Sequence, residues 1–180
     1  MGDAPVVVEP YDPSWPQRFA AASRRLGEVL GPWLVGPVEH IGSTAVPGLA
    51  AKPVIDILAL VPKLREASAA IPLLEADGWL LWRDDPYDYR LWFLRPSPEN
   101  RTHHLQIIAA GAPQALALLA FRDALRANEA VAAQYAALKF RLAAVHRADR
   151  DAYTEAKSEF MKRIIGASGG MAPHGLKMRP

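Results

Sequence analysis

The sequence contains no cysteine, and this absence excludes three kinds of chemistry at once. Disulfide bonds, zinc sites built from thiolates and catalysis by a thiol all require the missing side chain. Long apolar runs are missing too, because no stretch approaches the ~20 residues that a membrane-spanning helix needs. The opening MGDAPVVVEP lacks the basic segment and apolar core of a signal peptide. A cytoplasmic protein with no membrane partner is therefore expected.

The chain also lacks a clear excess of charge of either sign. Lys and Arg number 21 and Asp and Glu number 19, which gives a formal net charge of +2. Proteins that bind nucleic acid usually carry a basic excess or a basic stripe, so no nucleic-acid partner is expected. Hydrophobic residues make up 51% of the chain and charged residues 22%, which is typical of a globular protein rather than a disordered one.

The hydrophobic pattern predicts four strands. They cover residues 35–42, 53–61, 89–95 and 103–110. The second of these, PVIDILALV, is a continuous apolar run, which indicates a strand buried on both faces inside the sheet.

Helical spacing predicts the remaining elements. A first helix is predicted over residues 12–30, with Asp12 as its cap and Pro13 in its first turn, and it should pack on the sheet. A second helix over residues 63–77 should kink or break at Pro72. Helices follow from Pro113 onward and should close one side of the sheet. This order predicts an α+β fold in one domain, residues 1–166, with a flexible tail at 167–180.

The segment HIGSTAVPGLAAKPVIDILAL, residues 40–60, carries unusual polar residues between apolar runs. Alternation along a strand puts Asp56 on the same face as Leu58. A buried carboxylate without a partner is costly, so Asp56 requires a metal ion or a cationic side chain. Gly42 and Ser43 lie where a strand ends, and such a turn can hold phosphate oxygens through amides and a hydroxyl. A common turn and a structural aspartate–arginine pair fit the same spacing.

The segment HIGSTAVPGLAAKPVIDI resembles the signature of the GrpB family, small bacterial proteins placed in the nucleotidyltransferase superfamily. The likeness continues through RTHHLQII, FRDALRANEAVAAQYAALK and AYTEAKSEF, and it spans roughly residues 6–165. The resemblance implies a mixed β-sheet with flanking helices and a C-terminal helical segment. It also implies an enzyme that binds an NTP, with ATP the first candidate, together with a divalent metal. The nucleotidyl group would be transferred to a small-molecule acceptor or used to activate a carboxylate.

The superfamily pattern places Gly-Ser against the triphosphate and three carboxylates around Mg²⁺. Gly42, Ser43 and Asp56 match it, but Leu58 replaces the second carboxylate, and His104 and Gln106 stand where a third would lie. A two-metal clamp needs bridging carboxylates. The resemblance therefore implies at most one Mg²⁺ or Mn²⁺ ion, held mainly by the nucleotide. Leu58→Asp is expected to tighten metal binding where the ancestral geometry survives.

The predicted site residues fall into three groups. Catalytic roles are predicted for Asp56 and His104, and metal-ligand roles for Asp56, His104 and Gln106. Phosphate or nucleotide contacts are predicted for Gly42, Ser43, Thr44, Lys52, Arg90 and Lys139. Strand residues of these groups should line one cleft, with Lys52 at its rim.

Several of these residues have alternative interpretations. Arg90 can bind phosphate through its planar guanidinium or pair with a carboxylate such as Asp56. His40 can be a metal ligand, a general base or a half-buried hydrogen-bonding residue. Arg122, Tyr135, Lys139 and Lys157 belong to helical segments that resemble the family, and they can wall the cleft or serve the fold.

Leu58 and the missing third acid leave a second function open. A non-catalytic nucleotide- or anion-binding accessory protein on a degenerate transferase fold needs no metal clamp. The fusion of some family relatives to dephospho-CoA kinase fits such an accessory role.

Overall fold

The structure is a computed structural model, and it describes residues 6–167 of the 180, apart from the side chain of residue 150. The strands are β1 (Glu39–Ile41), β2 (Ile55–Val61), β3 (Leu80–Leu81), β4 (Arg90–Pro96) and β5 (Arg101–Ala109). The helices are α1 (Trp15–Leu30), α2 (Leu64–Ala67), α3 (Ile71–Ala76), α4 (Pro113–Ala127), α5 (Glu129–Val145) and α6 (Arg150–Ala167). Within residues 6–167 no helix is long and apolar enough to cross a membrane.

The strands form one mixed sheet in the order β1-β2-β5-β4-β3. β2 and β5 run parallel, and the other neighbouring strands are antiparallel. The α+β prediction is confirmed, with flanking helices and a C-terminal helical segment. The sequence pattern does not predict β3, because its two residues are too few to show a period.

One face of the sheet packs against helices from the N-terminal half of the chain. Ile55 and Ile57 of β2 and Leu105 of β5 share a hydrophobic cluster with Trp15 and Leu26 of α1. All five side chains are fully buried, and each such burial stabilises the fold by roughly 1.5–3 kcal/mol. The predicted packing of the first helix on the sheet is confirmed.

The opposite face packs against the C-terminal helices. Leu58 of β2 and Ile108 of β5 join Phe121 of α4 and Met161 of α6 in a second hydrophobic cluster. β2 is therefore covered on both faces, as its continuous apolar run predicts. Asp56 alternates with Ile55 and Ile57, so its carboxylate lies on the same side as these helices.

Helix boundaries differ from the prediction at two places. α1 begins at Trp15, with Pro16 rather than Pro13 in its first turn. The Asp12 carboxylate instead accepts a hydrogen bond from the Ser14 backbone amide at 2.8 Å, before the helix begins. The helix predicted over residues 63–77 is divided into α2 and α3 by a 3-10 turn at Ser68–Ala70. Pro72 lies in the first turn of α3, where its missing N–H needs no partner.

The first strand is shorter than predicted, and the tail lies outside the described residues. β1 covers only Glu39–Ile41, because Gly36 and Pro37 precede it and disfavour strand pairing. The predicted tail at 167–180 lies, apart from Ala167, outside the part of the chain that the structure describes.

Candidate functional site

A glycine turn follows β1 and brings the backbone against β2. Gly42 has a φ of +71°, a conformation that favours glycine. A Cβ at this position would overlap the Asp56 carboxylate and lie 3.0 Å from the Asp56 Cβ. Gly42 therefore allows the turn to approach Asp56, and Ser43 follows it at the same pocket.

Gly42→Ala is expected to lower the free energy of unfolding by about 2–3 kcal/mol, because backbone strain adds to the overlap with Asp56. Chemical denaturation measures the change. The matched control is Gly27→Ala in α1, where no atom lies within 4 Å of the added Cβ. Alanine there should stabilise the protein by about 0.5–1 kcal/mol, since it replaces a helical glycine. Equal stability of Gly42→Ala and wild type would contradict the close approach.

Thr44 anchors the turn to the segment before β2. Its hydroxyl donates to the Val54 carbonyl at 3.2 Å, so its oxygen accepts from Nε2 of His40 at 3.0 Å. His40 stacks on Phe19, and burial lowers the pKa of His40 to about 4, which leaves the ring neutral at pH 7. These contacts support the structural interpretation of His40. Thr44 lines the pocket, but its hydroxyl proton is directed to Val54, and the phosphate contact of Thr44 stays a prediction.

His104 lies behind Asp56 and orients it. Nδ1 of His104 lies 3.0 Å from Oδ1 of Asp56, and the carboxylate can only accept, so we assign the proton to Nδ1. His104 is fully buried, and this burial lowers its pKa despite the bond to Asp56. The Asp56 side chain is 17% exposed and lines the pocket, whereas His104 does not. The catalytic and metal-ligand roles of His104 stay predictions, and the structure places this ring behind Asp56 rather than at the pocket surface.

Arg90 pairs with an aspartate that no sequence pattern singles out. Its guanidinium donates to both carboxylate oxygens of Asp85, at 2.6 and 3.0 Å. It also donates to Oε1 of Gln106 at 2.8 Å. The Arg90 side chain is completely buried and does not line the pocket, so the phosphate contact predicted for it is corrected to a structural one. Gln106 lines the pocket, but its oxygen is already engaged.

The pocket lies between the sheet and the C-terminal helices. Its lining combines predicted and unpredicted residues: Gly42, Ser43, Thr44, Ala51, Lys52, Val54, Asp56, Gln106, Tyr135, Lys139, Tyr153 and Lys157. Sequence reasoning left Tyr135 and Lys157 as alternatives and missed Tyr153. A shared Tyr-x-x-x-Lys spacing, in YAALK of α5 and YTEAK of α6, is the sequence pattern that could have indicated these residues. This spacing places each tyrosine and lysine on one helix face, one turn apart.

The two helical lysines lie close together in the pocket wall. Lys139 is 2% exposed, donates to the Ala50 carbonyl and lies 4.7 Å from the ring centroid of Tyr135. Burial, with repulsion by Lys157 as the second cause, lowers the pKa of Lys139 to about 7. Lys157 lies 4.3 Å from the ring centroid of Tyr153. Burial raises the pKa of both phenols, so they stay neutral.

The residues present fit at most a single metal ion with one protein carboxylate. Within residues 6–167 no group of three His, Asp or Glu side chains could hold a metal. His104 does not line the pocket, and Oε1 of Gln106 accepts from Arg90, so of the three predicted ligands only Asp56 brings a carboxylate to the pocket. Leu58 is fully buried in the apolar cluster under α4 and adds no ligand. Any ion at Asp56 would therefore need most of its ligands from a bound phosphate group.

Three histidines are expected to make the fold labile in acid. Burial lowers the pKa of His40 and His103 to about 4, and it lowers that of His104 too. The unfolded chain has histidine pKa values near ~6.5 and so binds more protons between pH 4 and 6.5. The free energy of unfolding should therefore decrease as the pH is lowered through this window, by up to about 1.4 kcal/mol per pH unit for His104. His40 and His103, which are less deeply buried than His104, should contribute less.

Denaturation midpoints at pH 7 and pH 5 measure this loss. His103→Gln, which removes one of the three buried titrating groups, should reduce the slope of stability against pH. An unchanged midpoint between pH 7 and pH 5 would contradict the neutral state of these rings.

The GrpB protein family matches residues 5–166 of the chain. The chain belongs to the GrpB family. The GrpB relatives include the UPF0157 protein PA4798 of Pseudomonas aeruginosa, 40% identical over 175 residues, which cover 96% of this chain and 71% of that protein. The crystal structure of the conserved protein GrpB from Enterococcus faecalis superposes with a TM-score of 0.82 at 34% identity. It covers 90% of this chain and 96% of that one, so the two GrpB chains share one fold.

A longer relative carries a GrpB-like region as part of its chain. The dephospho-CoA kinase of Mycolicibacterium paratuberculosis is 31% identical over 185 residues. The match covers 88% of this chain and 45% of that protein.

Proposed function

We propose that this GrpB protein binds an NTP, with ATP the first candidate, and transfers its nucleotidyl group to a small-molecule acceptor in the cytoplasm. One observation carries the proposal. Lys52, Lys139 and Lys157 come from three separate segments and line the same pocket as Ser43 and Asp56. Cationic groups around a hydroxyl suit a polyphosphate, which offers many acceptor oxygens and several negative charges.

The residues divide the proposed chemistry between binding and reaction. Ser43 and the lysines hold the phosphates, and Asp56 faces the reacting end of the nucleotide. The acceptor oxygen attacks the α-phosphorus as its proton passes to the Asp56 carboxylate, the bond to the bridging oxygen breaks, and pyrophosphate leaves toward the lysines. His104 keeps the Asp56 carboxylate turned to the pocket through the 3.0 Å hydrogen bond. One Mg²⁺ or Mn²⁺ ion that arrives with the nucleotide would supply charge neutralisation beside Asp56.

Titration calorimetry with each of the four NTPs tests the binding step. We expect ATP to bind with a micromolar Kd, and Lys157→Met to weaken it at least about tenfold, which is ~1.4 kcal/mol. The matched control is Lys162→Met on the same helix, where Lys162 pairs with Glu159 and its side chain is 47% exposed. It should leave the Kd unchanged. No heat with any NTP would contradict the proposal.

A non-catalytic anion-binding accessory protein is the second candidate. Leu58 in place of a carboxylate favours it, and so does the GrpB-like region that makes up part of a dephospho-CoA kinase. ATP labelled at the α-phosphorus, incubated with the protein and a metabolite extract, separates the two candidates. A labelled product supports transfer, and binding without any product supports the accessory role.

A further inference from the structure

The lysines of the pocket also bear on how the charge of a bound phosphate is balanced. We infer that Lys139 and Lys157 hold phosphate in this pocket without a metal ion, and that Lys139 takes up a proton as phosphate binds. The inference rests on the proposed function in placing phosphate here, but it adds how the charge of the phosphate is balanced.

Geometry makes a metal ion dispensable for phosphate binding. The position at which a second carboxylate would lie is occupied by Leu58, which is 0% exposed. His104 does not line the pocket; its Nδ1 donates to Asp56 and its Nε2 is buried, while Oε1 of Gln106 accepts from Arg90. The pocket thus offers one carboxylate and three lysine side chains. A phosphate that enters it meets more positive than negative charge before any ion is added.

Lys139 is a buried lysine whose contacts are uncharged. It lies 2% exposed in the wall, where it donates to the Ala50 carbonyl and packs on the Tyr135 ring. No acidic side chain is among the groups that set its pKa, whereas Lys157 of α6 opposes its charge. A buried ammonium group without a counter-ion is costly. A bound phosphate would provide that counter-ion.

The other titratable groups at this pocket do not supply a counter-ion for Lys139. Tyr135 on α5 and Tyr153 on α6 stay neutral phenols, because burial raises their pKa. Lys52, before β2, and Lys157 add positive charge. Asp56 of β2 also lines the pocket, and it accepts a hydrogen bond from His104.

The sign of the proton exchange follows from the pKa of Lys139. With a pKa of about 7, the free amine is mostly neutral at pH 8 and mostly charged at pH 6. A bound phosphate dianion favours the charged form and raises the pKa toward its ordinary value. Binding at pH 8 should then take up close to one proton per site, and binding at pH 6 much less. ATP phosphates are almost fully ionised at pH 8, so the ligand contributes little.

Calorimetry of ATP binding in EDTA tests this, in pairs of buffers with different ionisation enthalpies. We expect the Kd in EDTA to lie within about threefold of that in Mg²⁺, a difference of ~0.6 kcal/mol. Proton uptake should be close to one at pH 8 and small at pH 6. Lys139→Arg should retain binding but lose the uptake, because a guanidinium stays charged at every pH used. The pH comparison uses only wild-type protein, so it does not depend on the folding of the variant.

The outcomes separate this inference from the nucleotidyl-transfer proposal. ATP binding that requires Mg²⁺ overturns the inference and leaves the proposed function standing. Equal proton uptake by wild type and Lys139→Arg overturns the role of Lys139. If inorganic triphosphate binds in EDTA while ATP does not bind at all, the inference stands and the nucleotide function is contradicted.

Discussion

Asp56→Asn is expected to reduce nucleotidyl transfer by a factor of about 10²–10⁴, the range typical of a lost acid–base or charge-stabilising group. Asparagine keeps the shape of the side chain, and its oxygen can still accept from Nδ1 of His104. Only the negative charge at the pocket is removed. The variant should therefore fold like the wild type and lose the reaction step alone.

ATP binding, unlike transfer, should not be weakened by Asp56→Asn. The carboxylate repels phosphate, so its loss from a lysine-lined pocket should leave the Kd in EDTA equal or lower. Release of pyrophosphate measures transfer, and calorimetry measures binding. Asp88→Asn, at an exposed position outside the pocket, is the control and should change neither quantity. Full transfer activity in Asp56→Asn would contradict the role given to this carboxylate.

Leu58→Asp should destabilise the fold by about 3–5 kcal/mol, because it places a carboxylate in an apolar cluster without a partner. Leu58 is 0% exposed and shares that cluster with Ile108 and Phe121. Such a site raises the pKa of a carboxyl group, so the new side chain should be protonated and bind metal poorly. The sequence led to an expectation of tighter metal binding by Leu58→Asp. The burial of Leu58 leads us to expect a loss of stability instead.

Chemical denaturation and a Mn²⁺ titration of the same sample decide between these two outcomes. Leu58→Met is the matched control, because it conserves volume and polarity and should cost less than about 1.5 kcal/mol. A Leu58→Asp protein of wild-type stability that binds Mn²⁺ tightly would contradict the account of this position.

Local rules explain which parts of the site the sequence could predict. Strand alternation places Asp56 and Leu58 on one face, and the family resemblance implies that His104 lies beside them. The structure joins Asp56 to His104 by a hydrogen bond. The steric demand at Gly42 follows from the same segment, since the turn must approach the next strand. These relations depend on residues close in sequence or on neighbouring strands, whose register is set by the hydrophobic pattern.

Long-range pairing explains what the sequence could not predict. Arg90 pairs with Asp85, which lies outside the named strands in a segment without periodicity, and Arg90 does not line the pocket. Tyr153 and Lys157 line the same pocket as Asp56 because α6 packs back over the sheet, about a hundred residues along the chain. The division of residues 63–77 into α2 and α3 depends on tertiary packing that outweighs a helical pattern.

A crystal structure with an ATP analogue that carries a methylene bridge between the α- and β-phosphorus atoms tests the central claim most directly. The account predicts the triphosphate in the pocket, with Ser43 and the ammonium groups of Lys139 and Lys157 within hydrogen-bond distance of its oxygens. The α-phosphate should be the one nearest Asp56. An analogue bound elsewhere on the molecule, with this pocket unchanged, would contradict the account.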